Sequence, residues 1–402
     1  MTCNGPGEFA GWVRPLALAF AHVAPQVELH VFFLPDDYAT GRESEVARAA
    51  LPGLHVHSPS TYFRVALCGR GRLPPFDGVL YLGGDVMHAV VLRRRLGARL
   101  FAYRYVPRWI AAGVDHAFAL DEQNRRRIER VVPSERVTVT GNLAVDGALA
   151  EASREPETTA PLDGVLFMPG SRRREIAHLL PFFATVAVHL RRLRPDLPIA
   201  FGLSPFTKNE AIATALRPPL EPQLYAKPGS LVALGEGAGI VVEGEQEPFP
   251  LLHRSLAAAR RAALVVTIPG TKCIELAALG VPTLVCTPFN LPERAAINGP
   301  LTYLDRLPVI GRPLKRAAVL AFAQRFRYFA QPNIDADREV MPELVGTLTP
   351  MRVAERAVTL IEDEAGRVQQ AEQLRLLSAP HVGAVARMTQ GLLDALSRER
   401  RR

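Results

Sequence analysis

Short apolar, β-branched runs alternate along the whole chain with longer stretches of helical periodicity. The runs VELHVFFL (27–34), GVLYLGG (78–84), RLFAY (99–103), HAFAL (116–120) and RVTVTGN (136–142) predict strands. Patterns such as ESEVARAAL and DEQNRRRIERV between them predict helices. A polar, proline-bearing stretch, EASREPETTAPLD (151–163), predicts a linker, and the alternation then restarts with GVLFMPG, PIAFGL, GIVVEG, ALVVTIPG and PTLVCTP. Near-continuous apolar strands alternating with helices predict parallel sheets covered on both faces. The expected fold class is α/β: two doubly wound, Rossmann-like parallel-sheet domains facing across a cleft. Residues 1–155 would form the first and 156–376 the second. Residues 377–402, ending in the amphipathic and basic LLDALSRERRR, would pack back on the first domain or on a partner subunit. Only Met1, Thr2 and Cys3 precede the first glycine turn, so the first strand is either unusually short or begins upstream.

Composition narrows the function classes. Lys and Arg outnumber Asp and Glu by eight (48 against 40), which points to acidic partners or simply to an arginine-rich proteome. The four cysteines are scattered, with no CxxC pair and no histidine at metal-ligand spacing. The expectation is a reducing compartment, no structural zinc or other metal, and no cofactor. No signal-peptide pattern or spanning apolar run is present, so a cytoplasmic protein is expected, with peripheral attachment to the inner face of the cell membrane as an option. That option rests on TYFRVALCGRGRLPPF (61–76) and RRRLGAR (93–99), which either dock on an anionic bilayer or are a helix and a basic loop. No aromatic and basic platform supports nucleic-acid binding. GEGAG (235–239) imitates a dinucleotide fingerprint without the strand-turn-helix setting, and His88 and His116 have no partners at useful spacing.

Two turns carry chemistry. MPGSRRREI (168–176) follows an apolar strand and opens a helix with three arginines, where the positive end of the helix dipole disfavours them. Either a bound anion or a neighbouring side chain must compensate. In the first case Gly170 lets the backbone approach, Ser171 caps, and Arg172 adds a bidentate phosphate contact. In the second the stretch is an ordinary helix start. VVTIPGTKCIELAALGVPTLV (265–285) repeats the arrangement, with Gly270 and Thr271 in the turn and Glu275 one turn into the helix. Glu275 would accept from sugar or ribose hydroxyls, or else be a surface charge.

Together with QPNIDADREVMPELV (331–345), these stretches resemble lipid-A-disaccharide synthase over almost the whole chain. The resemblance implies a two-domain GT-B glycosyltransferase that moves a GlcNAc-type sugar from a UDP-sugar to a lipid-linked or hydrophobic acceptor, by inversion and without metal. It implies a donor site of Gly170, Ser171, Arg172, Gly270, Thr271, Glu275, Asn333 and Arg338, with Glu339 following as cleft residue or helix-start charge. LGGDVMHAV (82–90) matches the family's Gly-x-Asp turn, making Asp85 the first candidate base and a helix cap the alternative. VTGNLAVDG (139–147) occupies the place of a Gly-His-x-x-x-Asp stretch, with Asn142 where the family has histidine. The first turn, NGPGEFAGWVRP, keeps Glu8 and Gly11 but lacks the family's serine and following aspartate. Glu8 is the second candidate base, and Gly7, Gly11 and Asn142 belong to the acceptor side. These departures mark a divergent relative rather than the synthase itself, a monomer or homodimer. The rival readings are a UDP-sugar 2-epimerase that eliminates and re-adds UDP, and a non-catalytic nucleotide-sugar binding protein.

Overall fold

A computed structural model describes residues 1–35, 43–153, 163–204, 206–235, 237–253, 255–294 and 311–397. Most of the expected linker and the basic tail beyond Ser397 lie outside the described residues. The chain divides into two compact units, Met1–Ala150 with Ser378–Arg402, and Glu151–Leu377. Both are α/β with parallel sheets, in the GT-B style of paired doubly wound units.

The first unit contains β1 (Thr2–Cys3), β2 (His30–Phe33), β3 (His55–His57), β4 (Gly78–Tyr81), β5 (Arg99–Tyr103), β6 (His116–Ala119) and β7 (Val137–Val139). They form two parallel ladders, β1-β2-β3 and β4-β5-β6-β7. A side chain joins the ladders: the buried Thr2 hydroxyl accepts from Leu82 N–H (3.3 Å) and donates to the Gly83 carbonyl (3.1 Å). The composite order β3-β2-β1-β4-β5-β6-β7 reverses direction between β1 and β4. At two residues, β1 is indeed short.

The second unit contains β8 (Val165–Met168), β9 (Ile199–Gly202), β10 (Gly229–Leu234), β11 (Gly237–Val242), β12 (Phe249–Leu252), β13 (Leu264–Thr267), β14 (Thr283–Pro288) and β15 (Glu343–Gly346). The sheet order is β10-β11-β12-β9-β8-β13-β14-β15, with the last six parallel and the turn-back between β8 and β13. Every residue of β8, β9 and β13 is buried, as continuous apolar strands between two helical layers require. Phe167, Phe182, Phe183 and Phe201 fill that core. GIVVEG departs from the expected parallel pattern: as β11 it pairs antiparallel with both β10 and β12. GEGAG lies across that hairpin rather than in a strand-helix turn.

The final helix, Ala384–Ser397, is fastened to the first unit at both ends. At its start the Asp146 carboxylate accepts from Gly383 N–H (2.8 Å) and Val385 N–H (2.7 Å), and Arg387 Nε donates to the Thr140 carbonyl at 2.7 Å. At its end Arg99 donates to the carbonyls of Ala395 (3.0 Å) and Leu396 (3.2 Å), satisfying acceptors that a helix terminus leaves open. Arg99 is therefore a helix clamp, not part of a basic surface patch. No described helix is long and apolar enough to cross a membrane.

Thr2→Val keeps the shape but strips Leu82 N–H and the Gly83 carbonyl of their partner. Leaving a buried polar group unpaired costs about 1–3 kcal/mol. The midpoint of urea unfolding is expected to fall accordingly, and an unchanged midpoint would show that Thr2 does not hold the ladders together.

Candidate functional site

In open α/β sheets ligands bind beyond the carboxyl ends of the strands, where the strand order reverses. In the second unit that place lies between β8 and β13. The two strands are in register from Leu264↔Val165 to Thr267↔Met168, and Thr267 Oγ1 donates to the Met168 carbonyl at 2.9 Å. The turns that follow, Pro169-Gly170-Ser171-Arg172 and Pro269-Gly270-Thr271-Lys272, therefore leave the sheet side by side. Both read Pro-Gly-hydroxyl-cation-x-x-Glu, and in both the glutamate pairs with the cation three residues earlier.

The first turn answers its own charge problem. The Glu175 carboxylate folds back and accepts from the N–H groups of Ser171 and Arg172, each at 3.1 Å, while Arg172 Nη1 lies 3.4 Å from its other oxygen. Gly170, with φ +99°, makes room: a β-carbon there would sit 2.4 Å from Glu175 Oε2. The N–H groups expected to face an anion are thus held by an anion of the chain's own. Arg172, Arg173 and Arg174 are exposed along this start.

In the second turn, Gly270 caps the helix Thr271–Leu279, and nothing described approaches within 4 Å of where its side chain would stand. Glu275 is buried rather than a surface charge, and its carboxylate meets Lys272 Nζ. Beside them Cys273 is fully buried, and burial pushes its thiol up to about 12 with Glu343 and Glu275 adding to the effect. It is an inert packing thiol.

Asn333 and Arg338 are engaged within the chain. Asn333 is fully buried: its amide donates to the Met341 carbonyl and to Glu343 Oε1, and its carbonyl accepts from Val340 and Met341 N–H, all at 2.7 Å. Glu343, so positioned, accepts from Phe329 N–H and Ala330 N–H at 2.9 Å. Arg338 is exposed and reaches Gln373 at 3.4 Å. Glu339 accepts from Glu343 N–H at 3.0 Å.

The first unit repeats the arrangement at its own reversal. Glu8, in the turn after β1, accepts from Asn4 N–H at 2.7 Å and, across the switch, from Gly84 N–H at 3.3 Å. A β-carbon on Gly83 would stand 2.1 Å from Glu8 Oε2. Glu8 is thereby tied to the backbone. Asp85 caps the helix Val86–Leu96, accepting from Met87 N–H at 2.9 Å, and stays exposed. Gly7 sits in the same turn as Glu8, half-buried. Gly11 is buried in a π-helical segment, Phe9–Val13, where its backbone packs against Gly147 with only 3.1 Å available to a β-carbon. Asn142 is buried, and its side chain accepts from Ala144 N–H at 3.1 Å. Gly11 and Asn142 thus hold helices in place.

Several groups at these strand ends escaped the sequence reading. His88 has a partner after all: Nδ1 is 2.6 Å from Tyr62 Oη, and burial pulls its pKa down against the opposing pull of Asp85. His116 likewise meets Thr138 Oγ1 at 2.8 Å. Arg104 follows β5 with φ +60°, and its guanidinium lies 5.5 Å from the Trp12 ring. Trp12 Nε1 is buried and finds no acceptor among the described residues. Tyr81 donates to the Gly84 carbonyl at 3.0 Å, and burial, then Glu8, push its hydroxyl up to about 12. In the second unit His178, one turn beyond Glu175, sits 3.2 Å from Arg294; burial, then Arg294, hold it down to about 4. The available signal was position: Arg104 directly follows the strand RLFAY, and His178 and His88 each stand three residues beyond a carboxylate at a helix start.

No protein-family model matches the chain, and no curated protein matches it. Solved structures do. MnaA of S. aureus, solved with UDP, matches at 15% identity over 98% of this chain and 96% of its own, with TM-score 0.61. The UDP-GlcNAc 2-epimerase of Neisseria meningitidis, bound to UDP-GlcNAc, matches at 15% identity over 98% and 99%, TM-score 0.57. The UDP-N-acetylglucosamine 2-epimerase of Rickettsia bellii matches at 12% identity over 98% and 95%, TM-score 0.52. These likenesses support the two-unit fold. They also correct the resemblance to lipid-A-disaccharide synthase and the glycosyltransferase activity drawn from it, since solved structures matching over nearly the full chain are named as UDP-GlcNAc 2-epimerases. The lipid-linked acceptor and the membrane attachment lose their support with it. The reason is physical: a Pro-Gly-hydroxyl turn at a helix start can suit an anion whatever reaction is carried out beside it, so such turns do not identify a reaction.

His178 gives a pH test. Its folded pKa lies below the ordinary imidazole value, so below about pH 6.5 the unfolded chain takes up a proton that the folded chain refuses, and stability falls down to about pH 4. His178→Gln removes this contribution. The drop in unfolding midpoint between pH 6.5 and 4 is expected to be smaller in the variant, and an equal drop in both would show that His178 is not held neutral.

Proposed function

We propose that this chain is a nucleotide-sugar isomerase, which binds a UDP-N-acetylglucosamine-type substrate on the second unit and inverts the sugar carbon bearing the acetamido group. The observation that carries the reading is the matched pair of turns at the β8/β13 reversal. They offer two helix starts, an arginine and a lysine at one place, a combination suited to a diphosphate. That the similar solved structures include proteins named as 2-epimerases, one of them bound to UDP-GlcNAc, and a further protein solved with UDP, supports the choice of substrate and reaction.

On this reading Ser171, Arg172 and Thr271 take the diphosphate. Glu175 leaves its two N–H groups as the phosphate oxygens arrive, and Lys272 with Glu275 faces the nucleoside side. The chemistry is redox-neutral and balances without a co-substrate. A base removes the proton from C2, the C1–O bond to UDP breaks as a C1–C2 double bond forms, and UDP re-adds while a proton returns to the other face of C2. Positioned acid and base groups are each worth about 10²–10⁴-fold, and the departing diphosphate needs the positive charge that the turns supply. The candidate proton carriers beside these turns are Glu175 and His178.

Two measurements test the reading. Incubated with UDP-N-acetylglucosamine in D2O, the chain is expected to replace the C2 proton with deuterium and to produce the manno epimer, both followed by proton NMR. UDP binding without any exchange at C2 would overturn the isomerase and leave a binding protein. Calorimetric titration of UDP against Arg172→Ala is expected to show about 10- to 100-fold weaker binding, the worth of charge-assisted hydrogen bonds. Binding indifferent to Arg172 would remove the diphosphate from this turn.

A further inference from the structure

At the opposite, amino-terminal edge of the first unit's sheet, β2 and β3 bring four side chains together on one face. His30 stands directly across from His55 in the parallel register, with Phe32 across from His57. Glu28 lies two residues before His30 and so returns to the same face. One carboxylate oxygen, Glu28 Oε1, faces two imidazole nitrogens: His30 Nε2 at 2.9 Å and His55 Nε2 at 3.3 Å. The three donor atoms all lie within 4.8 Å of one another. The other nitrogen of His30, Nδ1, is 2.8 Å from His57 Nε2.

We propose that Glu28, His30 and His55 form a binding site for a divalent transition-metal ion, with His57 as the residue that orients His30. The argument is geometric. Metal–nitrogen and metal–oxygen bonds of about 2.0–2.2 Å in a tetrahedral site leave neighbouring donors about 3.3 Å apart, close to the separations present here. Metal-binding histidines almost always donate their other ring N–H to a fixed acceptor, and His57 Nε2 is placed to be that acceptor. The rings of His30 and His57 have little freedom to turn away: they stack on each other with centroids 5.1 Å apart, Phe76 lies edge-on to His30 at 4.8 Å, and Phe32 stacks on His57 at 4.4 Å. The His55 ring, stacked on His30 at 4.5 Å, is more than half exposed and turns about its side-chain bonds to aim its Nε2 lone pair at the ion.

Without a metal ion the same atoms make a different hydrogen-bond chain: His57 Nε2–H donates to His30 Nδ1, and His30 Nε2–H donates to Glu28. Binding a cation displaces the proton on His30 Nε2 and reverses the direction of the His30–His57 bond. Two imidazoles and one carboxylate suit zinc, nickel or cobalt over calcium or magnesium, whose sites are built from oxygen. Three protein donors leave a fourth position open. Side chains on Glu28 and His55 are more than half exposed, so an ion can enter from solvent, and a cavity of about 440 Å³ lined in part by Glu28, His30, Phe76 and Asp77 adjoins the site. This revises the expectation of no metal site. Its signature was hidden because the donors come from two segments, paired 25 residues apart in the register, that locally read only as Glu-x-His and His-x-His.

The test uses the full chain carrying no histidine tag, with Co²⁺ as the probe and its visible absorption as the readout. One equivalent is expected to bind, with the intense bands of a four- or five-coordinate ion. His55→Ala and Glu28→Gln, both at exposed positions, are expected to weaken binding at least tenfold with circular dichroism unchanged. His57→Phe keeps a stacked ring but removes the acceptor, and is expected to weaken binding about 10- to 100-fold. Absence of saturable uptake, or uptake indifferent to both His55→Ala and Glu28→Gln, would overturn the proposal. Neither outcome bears on nucleotide binding, which the strand ends at the other edge of the sheet would carry.

Discussion

A glutamate carboxylate seated on backbone N–H groups organises the strand ends of both units. Where a doubly wound sheet reverses its order, a turn must leave one strand and open a helix, and it leaves N–H groups with no partner inside the helix. Glu8 satisfies such groups on two turns at once, Asn4 and Gly84, and so ties β1 to β4 above the point where Thr2 joins them below. Glu175 does the same for Ser171 and Arg172. The glycines at 83 and 170 follow from these contacts, because a side chain at either would collide with the carboxylate. The arrangement keeps polar turns ordered without a ligand. It also means that any diphosphate at the second unit must compete with an internal anion, which sets part of the cost of binding.

The architecture was legible because buried parallel strands announce themselves. Val165–Met168, Leu264–Thr267 and Arg99–Tyr103 are continuous apolar runs bounded by turn residues, and periodicity suffices to find them. The hairpin β10–β11 was not, since a half-exposed antiparallel edge and a buried parallel strand share the same apolar composition in GIVVEG. The turns at 169–172 and 269–272 were legible as places, yet the partners of their side chains were not. MPGSRRREI left two ways to offset its arginines, a bound anion or a neighbouring side chain, and the fold-back of Glu175 is the second; nothing in PGTKCIE says that Glu275 will be buried against Lys272. Asn333 shows the limit most clearly. A buried amide with four 2.7 Å contacts and an amide at a ligand look alike in a linear motif, because the difference lies in which backbone passes beside it.

The same limit explains how a reaction was misread while a fold was read correctly. A helix-start turn that suits an anion says nothing of the reaction carried out beside it. Titratable groups cluster separately at the reversal of each unit: Asp85 caps its helix near His88, which meets Tyr62, and His178 follows Glu175 and meets Arg294. Their neighbours are brought up from distant sequence by packing, which leaves no spacing to recognise. Burial lowers the proton affinity of both His178 and His88.

The clamp on the last helix has a consequence in time. Asp146 and Arg387 bind residues that are nearly 240 positions apart in the chain to one another's neighbourhoods, and Arg99 grips the helix that ends at Ser397. The first unit is therefore completed by a segment that follows the whole of the second in the chain. The second unit, continuous from 151 to 377, has all of its chain earlier. During synthesis the usual order of amino-terminal domain first is inverted at its final step: the second unit's sheet can complete itself while the first still waits, with Thr140 and Asp146 unpartnered by a helix not yet translated.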